Sequence, residues 1–227
     1  LRRFVGAVLF YAVLYGSVLG LGLIGFLFQR RQPFVRRVAR LWARANLAAL
    51  RWFCGVQLRV TGLENLPPGG VIIAAQHQAE LDILIWLVVL PNPVFVLKQE
   101  LLQLPIMGAL LRPAGMIPVD RAGGAPALRG MVTAANAAVA RGAQVVIFPE
   151  GTRVIPGERA TLHPGVAALA RTAKVIPAAT NSGLVWGRHS FRKKPGIAAV
   201  KLYPAAPLQR AALMAELAAC FYDRPLT

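Results

Sequence analysis

The residues that can do chemistry are few, and they are clustered. The 227-residue chain has three histidines and nine acidic residues. His77, Glu80 and Asp82 sit together in "QHQAELD", inside the apolar stretch from Val71 to Leu90. On one straight helix, His77 and Asp82 would diverge by about 140° at ~3.6 residues per turn. They can cooperate only if the backbone turns between them, with the histidine on a strand-to-helix junction and the aspartate one turn into the helix. The carboxylate then holds one ring nitrogen and leaves the other as a base. This is a triad without a nucleophile of its own, so a substrate hydroxyl must supply that part. Glu80 reads as a helix-start charge, favourable at the positive end of the dipole.

Three more segments put charge at the end of an apolar run. In "VVIFPEGTRV", Pro149 stops a strand, Gly151 permits a tight turn, and Glu150 and Arg153 project from its end. "GMIPVDRAGG" places Asp120 and Arg121 before a glycine-rich turn, and "VLKQELLQLPIMG" places Lys98 at a strand end. Strand ends are where α/β sheets keep their ligands, and an arginine there suits a phosphate through paired donors.

The elements that must position these groups are legible from about Gln57 onward. Strands are expected at "QLRVT", "GVIIAA", "PVFVL", "GMIPV", "AQVVIF", "KVIPAAT" and "IAAVKLY". Helices are expected over Ala79–Leu90, Pro126–Arg141, Pro164–Arg171 and Pro207–Phe221. This alternation means an α/β domain with a central, mostly buried sheet flanked by helices. The polar, turn-rich stretch 149–164 reads as a functional loop.

The first 55 residues differ from the rest and form a separate membrane-associated helical segment, with the α/β domain over 56–227. Phe4 to Phe28 carries no charge, and as a helix it is about 37 Å long, enough for a ~30 Å hydrocarbon layer by spanning or by re-entry. Arginines flank it at both ends. Phe34–Val56 follows, a basic amphipathic helix with Arg36, Arg37, Arg40, Arg44 and Arg51, suited to lie in the interface. A chain that is 56% hydrophobic with a net charge of +17 fits a membrane surface better than nucleic acid, and no nucleic-acid motif is present. Cys54 and Cys220 are too sparse for a disulfide framework and read as buried thiols.

Four blocks in order carry a resemblance. "HQAELD", "GMIPVDR", "FPEGTR" and "VIPAAT" are similar to the motifs of the bacterial lysophosphatidic acid acyltransferases, within the wider glycerolipid acyltransferase family, and the likeness runs from about Val56 to Tyr203. It implies an O-acyltransferase that makes phosphatidic acid in phospholipid biosynthesis. His77 would be the general base and Asp82 its orienting carboxylate. Lys98, Arg121, Glu150, Gly151, Thr152 and Arg153 would bind the glycerol phosphate, and Pro177 would serve acyl-donor binding or packing. The co-substrate would be acyl-CoA or acyl carrier protein, with no cofactor and no metal. The expected place is the bacterial inner membrane, with the site facing the cytoplasm. Gln76, Ala79 and Val154 depart from the common family residues.

The remaining candidates have plainer readings. Asn181 and Ser182 follow a strand end and line the pocket or pack. His163 reads as a capping or solvent position, and His189 belongs to a basic aromatic loop with Trp186 and Phe191. Other functions in view are acylation of another lysolipid such as lyso-ornithine lipid, and a non-catalytic lipid-binding protein.

Overall fold

The structure is a computed structural model that describes residues 1–188 and 190–226, without the side chains of residues 105 and 106. His189 lies outside the described residues.

Two long helices come first, α1 (Arg2–Leu27) and α2 (Gln32–Cys54). They run antiparallel along their whole length: Gly6 lies against Phe53, Ser17 accepts from Asn46 Nδ2 at 3.1 Å, and Gly25 faces Val38. A Cβ on Gly6 would stand 2.1 Å from the Phe53 carbonyl oxygen, so only glycine lets the backbones approach this closely. Pro33 in the first turn of α2 and left-handed Gly55 at its end (φ 69°) fix the helix limits.

The body is one seven-stranded sheet of β1 (Val56–Thr61), β2 (Val71–Ala75), β3 (Pro93–Lys98), β4 (Ile117–Val119), β5 (Gln144–Ile147), β6 (Val175–Thr180) and β7 (Gly196–Leu202). Its order is β1-β7-β6-β2-β5-β3-β4. All pairs are parallel except β6 with β7. The helices are α3 (Leu81–Val89), α4 (Pro105–Leu111), α5 (Gly124–Ala140), α6 (Gly165–Leu169), α7 (Ser182–Val185) and α8 (Arg210–Ala218). The expected seven strands are all present. The helix expected over Pro207–Phe221 is shorter, and passes into a π-helical turn at Ala219–Asp223.

Two apolar clusters sandwich the sheet. One contains Ile73, Leu84, Trp86 and Val146 together with Phe10 of α1 and Leu50 of α2, so the hairpin packs into the same core as the sheet. The other contains Ile72, Val145, Leu169 and Leu213. β2, β5 and β6 are buried on both faces, which is why they read as continuous apolar runs.

Two arginines of α2 depart from the interfacial expectation. Arg40 donates to the carbonyls of Leu87, Leu90 and Pro91 at 3.3, 3.1 and 2.6 Å, capping the end of α3. Arg36 donates to the Ala114 carbonyl at 3.2 and 3.1 Å and to Asn92. A guanidinium has five donors, and these two spend theirs on backbone carbonyls and, for Arg36, also on the Asn92 side chain. Arg37, Arg44 and Arg51 stay exposed.

Candidate active site

β2, β5 and β6 are central neighbours; the first and third blocks follow the C-terminal ends of β2 and β5, and the fourth block is β6 itself. In register, Ala74 on β2 lies between Ile147 on β5 and Pro177 on β6. Just beyond, His77 occupies a short irregular link between β2 and α3. The turn in that link brings His77 Nδ1 to 2.9 Å from Asp82 Oδ2. Asp82 is 2% exposed. Its Oδ2 also accepts from the backbone N–H groups of Gln78 and Ala79 at 2.8 and 3.0 Å, and Thr180 Oγ1 lies 3.4 Å from Oδ1. These donors fix the carboxylate before it fixes the histidine. With Nδ1–H given to Asp82, the Nε2 lone pair is free, and among the described residues no protein group bonds it. The ring stacks on Phe148 at 4.2 Å between centroids, and its side chain is 17% exposed.

Asp82, not Glu80, makes the hydrogen bonds at the start of α3. Glu80 makes no capping hydrogen bond there, because its carboxylate reaches across to Arg153.

Glu150 sits behind the histidine. It is 3% exposed, its Oε2 accepts from the His77 backbone N–H at 2.6 Å, and its Oε1 accepts from Tyr222 Oη at 2.8 Å. Burial pushes its carboxyl up to about 7, against the pull of those two donors, with the Asp82 charge adding to the rise. The His77 carbonyl accepts from Val154 N at 2.8 Å, so the third block and the residue after it hold both backbone groups of His77.

The cations lie nearer solvent, and each has a partner. Arg121 follows β4 and donates to the Gly151 carbonyl. Arg153 pairs with Glu80, and Lys98, at the end of β3, pairs with Glu100 at 3.0 Å. Lys98 and Arg121 both help hold the Glu100 carboxyl below its usual range, after its own backbone hydrogen bond. Gly151 turns with φ 66°, and a Cβ there would stand 2.8 Å from the His163 ring. His163 therefore leans over the third block. Thr152 is exposed on the same turn.

The fourth block packs rather than opens. Pro177 is buried, and its carbonyl accepts from Tyr203 N at 2.9 Å. The reciprocal bond is the one a proline cannot donate, and the regular β6–β7 pairing runs from Ala178. Asn181 Oδ1 accepts from Ala199 N at 2.7 Å, extending the β6–β7 ladder. Its side-chain oxygen is thus spent on a strand, not on a pocket. Ser182 is fully buried, and its Oγ has no partner among the described residues.

Sequence reasoning missed several supports. Gln76 bridges Thr180 N and the Phe221 carbonyl at 3.1 and 3.0 Å. Gln78 accepts from Gly183 N at 3.2 Å. Tyr222 lies 72 residues from the carboxylate it holds, and no local pattern signals it. Phe148 opens the third block and Thr180 closes the fourth, so both lay within the quoted motifs.

Beside this site, a cleft of about 480 Å³ opens between α2, β1 and β7. Leu50, Val56, Leu58, Leu81 and Ala198 line it, with Arg51 at the same cleft. Leu81, which also lines it, directly precedes Asp82 in the chain.

The arrangement can take a proton from a bound hydroxyl at Nε2 and balance the resulting imidazolium with a fixed carboxylate. Among the described residues no group of three or more His, Cys, Asp or Glu side chains is placed to hold a metal ion. The acyltransferase family model matches residues 57–181. A 1-acyl-sn-glycerol-3-phosphate acyltransferase of Pseudomonas aeruginosa is 34% identical over 206 residues, covering 87% of this chain and 79% of that one. A protein of the same name from Limnanthes douglasii is 27% identical over 178 residues, and the match spans 76% of this chain and 63% of the plant one. The crystal structure of the 1-acyl-sn-glycerophosphate (LPA) acyltransferase, PlsC, from Thermotoga maritima superposes with a TM-score of 0.73 at 20% identity, over 95% of this chain and 92% of that one. That likeness is one of fold, while the sequence matches carry kinship: the chain belongs to the acyltransferase family.

Proposed function

We propose that this protein transfers a fatty acyl chain from a thioester, acyl-CoA or acyl carrier protein, to the free hydroxyl of lysophosphatidic acid, giving phosphatidic acid. The observation that carries this reading is the 2.9 Å His77–Asp82 pair with Nε2 unbonded. The substrate class follows from the names of the relatives and from the cations gathered around the third block.

His77 Nε2 takes the proton as the acceptor's oxygen attacks the thioester carbonyl. The tetrahedral intermediate collapses with cleavage of the C–S bond, and the departing thiolate takes that proton back from the imidazolium. Asp82 stabilises the imidazolium in between. Glu150 acts through the His77 backbone as a positioning residue. Arg121, Arg153 and Lys98 receive the phosphate by exchanging their present partners, with Gly151 and Thr152 shaping the turn that meets it. Pro177 and Asn181 hold β6 in place. The thioester is already activated, so the reaction needs no cofactor. The apolar cleft beside Leu81 receives an acyl chain.

Among the described residues one helix, Arg2–Leu27, is long and apolar enough to cross a membrane. It is tied along its length to α2, whose Arg37, Arg44 and Arg51 remain exposed. Dragging those charges through hydrocarbon costs about 2.5–3.5 kcal/mol each. A hairpin that enters one leaflet and stays there avoids this cost. We place it on the cytoplasmic face of the bacterial inner membrane, where the thioester donors are.

The test is thioester consumption by the purified full chain. Palmitoyl-CoA or palmitoyl carrier protein would be the donor, and lysophosphatidic acid, lysophosphatidylethanolamine, lyso-ornithine lipid or no lipid the acceptor. Turnover with lysophosphatidic acid above the other acceptors is expected. Turnover mainly with another acceptor overturns the substrate and keeps the chemistry. No turnover with any pair leaves a lipid-binding protein.

A further inference from the structure

The loop between α7 and β7 holds one buried cation and several exposed ones. Lys193 is 2% exposed. Its ammonium donates to Tyr11 Oη at 2.8 Å and to the Ser190 carbonyl at 2.9 Å, and lies 4.8 and 4.5 Å from the ring centroids of Tyr11 and Trp186. Tyr11 belongs to α1, so this lysine pins the loop to the N-terminal helix. Phe191 completes the joint, stacked on Tyr11 at 5.0 Å and against Phe4 at 5.7 Å. Arg192 lies over the Phe4 ring at 5.9 Å. The first turns of α1 and this loop therefore form one continuous surface.

That surface is apolar and basic at once. Leu184, Phe191 and Phe4 are 55%, 46% and 46% exposed, and Arg188, Arg192 and Lys194 are exposed among them. No acidic residue occurs between Arg159 and Ala215, and none before Glu64. Exposed rings interleaved with cations that have no ion-pair partner among the described residues are the composition of an interfacial lipid-binding element. The patch is continuous with the exposed apolar face of α1. Arg188 Nη1 also donates to the Arg153 carbonyl at 3.2 Å, which ties it to the phosphate-facing turn.

We propose that the end of α7 and the loop that follows it are a second membrane-docking element, which inserts Leu184 and Phe191 and binds anionic phospholipid headgroups through Arg192 and Lys194. It sets the mouth of the site against the bilayer, a task separate from anchoring by α1. This rests on the reading of α1 as a membrane anchor and is independent of the acyl-transfer chemistry. An acidic carrier protein is the competing occupant. The exposed Leu184 and Phe191, joined to the lipid-facing side of α1, favour the bilayer.

The experiment is backbone hydrogen exchange of the full chain in nanodiscs of phosphatidylcholine alone, or with about one third phosphatidylglycerol. Peptides over 184–194 should exchange about fivefold or more slowly in the anionic discs. The Arg192→Gln/Lys194→Gln double variant should lose most of that difference, with α1 equally protected in both discs. If α1 is protected and the loop exchanges equally in both compositions, the docking proposal is overturned. If α1 itself is unprotected, the anchor reading fails and the proposal falls with it. Loop protection by acyl carrier protein in neutral discs, without a response to anionic lipid, assigns the surface to the carrier and also overturns it.

Discussion

Glu150 holds His77 by the backbone: its Oε2 accepts from the His77 amide at 2.6 Å while Oε1 accepts from Tyr222 Oη at 2.8 Å. The third block thus reaches His77 through the main chain and occupies neither ring nitrogen. A glutamine at this position keeps an acceptor for the amide and can donate to Tyr222 Oη; an alanine keeps neither. Glu150→Gln should hold kcat within about threefold, and Glu150→Ala should lower it about ten- to a hundredfold by loosening His77. Equal loss in both would mean that the charge, not the hydrogen bond, is what the site needs.

The same carboxyl makes stability depend on pH. Its folded pKa is raised to about 7, above the value of an unfolded glutamate, so the native state binds the extra proton between about pH 4.5 and 7. Stability is then greatest below that window and falls as pH rises through it, by about 3 kcal/mol at most. Chemical denaturation at pH 5 and pH 7.5 reads this directly. Glu150→Gln should remove the greater part of the difference, and a variant with the wild-type slope would assign it elsewhere.

The His77–Asp82 pair predicts a graded loss. His77→Ala removes the imidazole, and kcat should fall at least about a thousandfold, near the upper range for general base catalysis. In Asp82→Asn, an amide nitrogen facing Nδ1 would favour the tautomer with the proton on Nε2, where a base needs a lone pair. A loss of about a hundred- to ten-thousandfold is expected, with acceptor KM little changed. Vesicle binding should survive in both variants. A His77→Ala protein with more than about a tenth of wild-type activity would overturn the base assignment.

The fold was legible because β-branched runs bounded by proline and glycine are local signals, and all seven strands fell where those runs lie. The turn between His77 and Asp82 was legible for a geometric reason, since no straight helix could bring them together. What each charged side chain touches was not legible. Arg36 and Arg40 look like interface arginines from their spacing on α2. The sequence of α2 does not reveal that the carbonyls closing α3 lie beside them. Glu80 looked like a cap and became the partner of Arg153. Tyr222 reached Glu150 from the far end of the chain. Pairings across tens of residues depend on sheet order, and with only short local patterns in view that order stays hidden.

Lys193 predicts a pH dependence of the opposite sign. Burial lowers its ammonium to about 8, while an unfolded lysine titrates near ~10.4. The cost of burying the charge is present in full below pH 8 and is relieved as pH rises toward 10, so stability should rise across that interval. Lys193→Met fills the same space without charge and should flatten the rise. At pH 7 it should change stability by less than about 2 kcal/mol, because the relief of a buried charge offsets the bonds lost to Tyr11 and Ser190. Urea unfolding of the detergent-solubilised protein at pH 7, 8 and 9.5 decides this, and a wild-type curve that falls over the interval would show that the ammonium is not what is buried.

Arg153 and Glu80 make an ion pair that costs little to break. The side chains are 31% and 50% exposed, and pairs of that kind contribute about 0–1 kcal/mol. A phosphate offers the same guanidinium two acceptor oxygens and more charge, so it should displace the glutamate. Glu80 is then a placeholder that keeps Arg153 turned toward α3 until the acceptor arrives. Glu80→Gln weakens the competitor and should lower acceptor KM by about two- to fivefold. Arg153→Ala removes the guanidinium itself and should raise KM by about ten- to a hundredfold, the scale of a hydrogen bond to a charged group. In the double variant the benefit of Glu80→Gln should vanish, because there is no arginine left to release. If Glu80→Gln lowers KM as much without Arg153 as with it, the glutamate repels the phosphate directly, and the exchange of partners is not how the site opens.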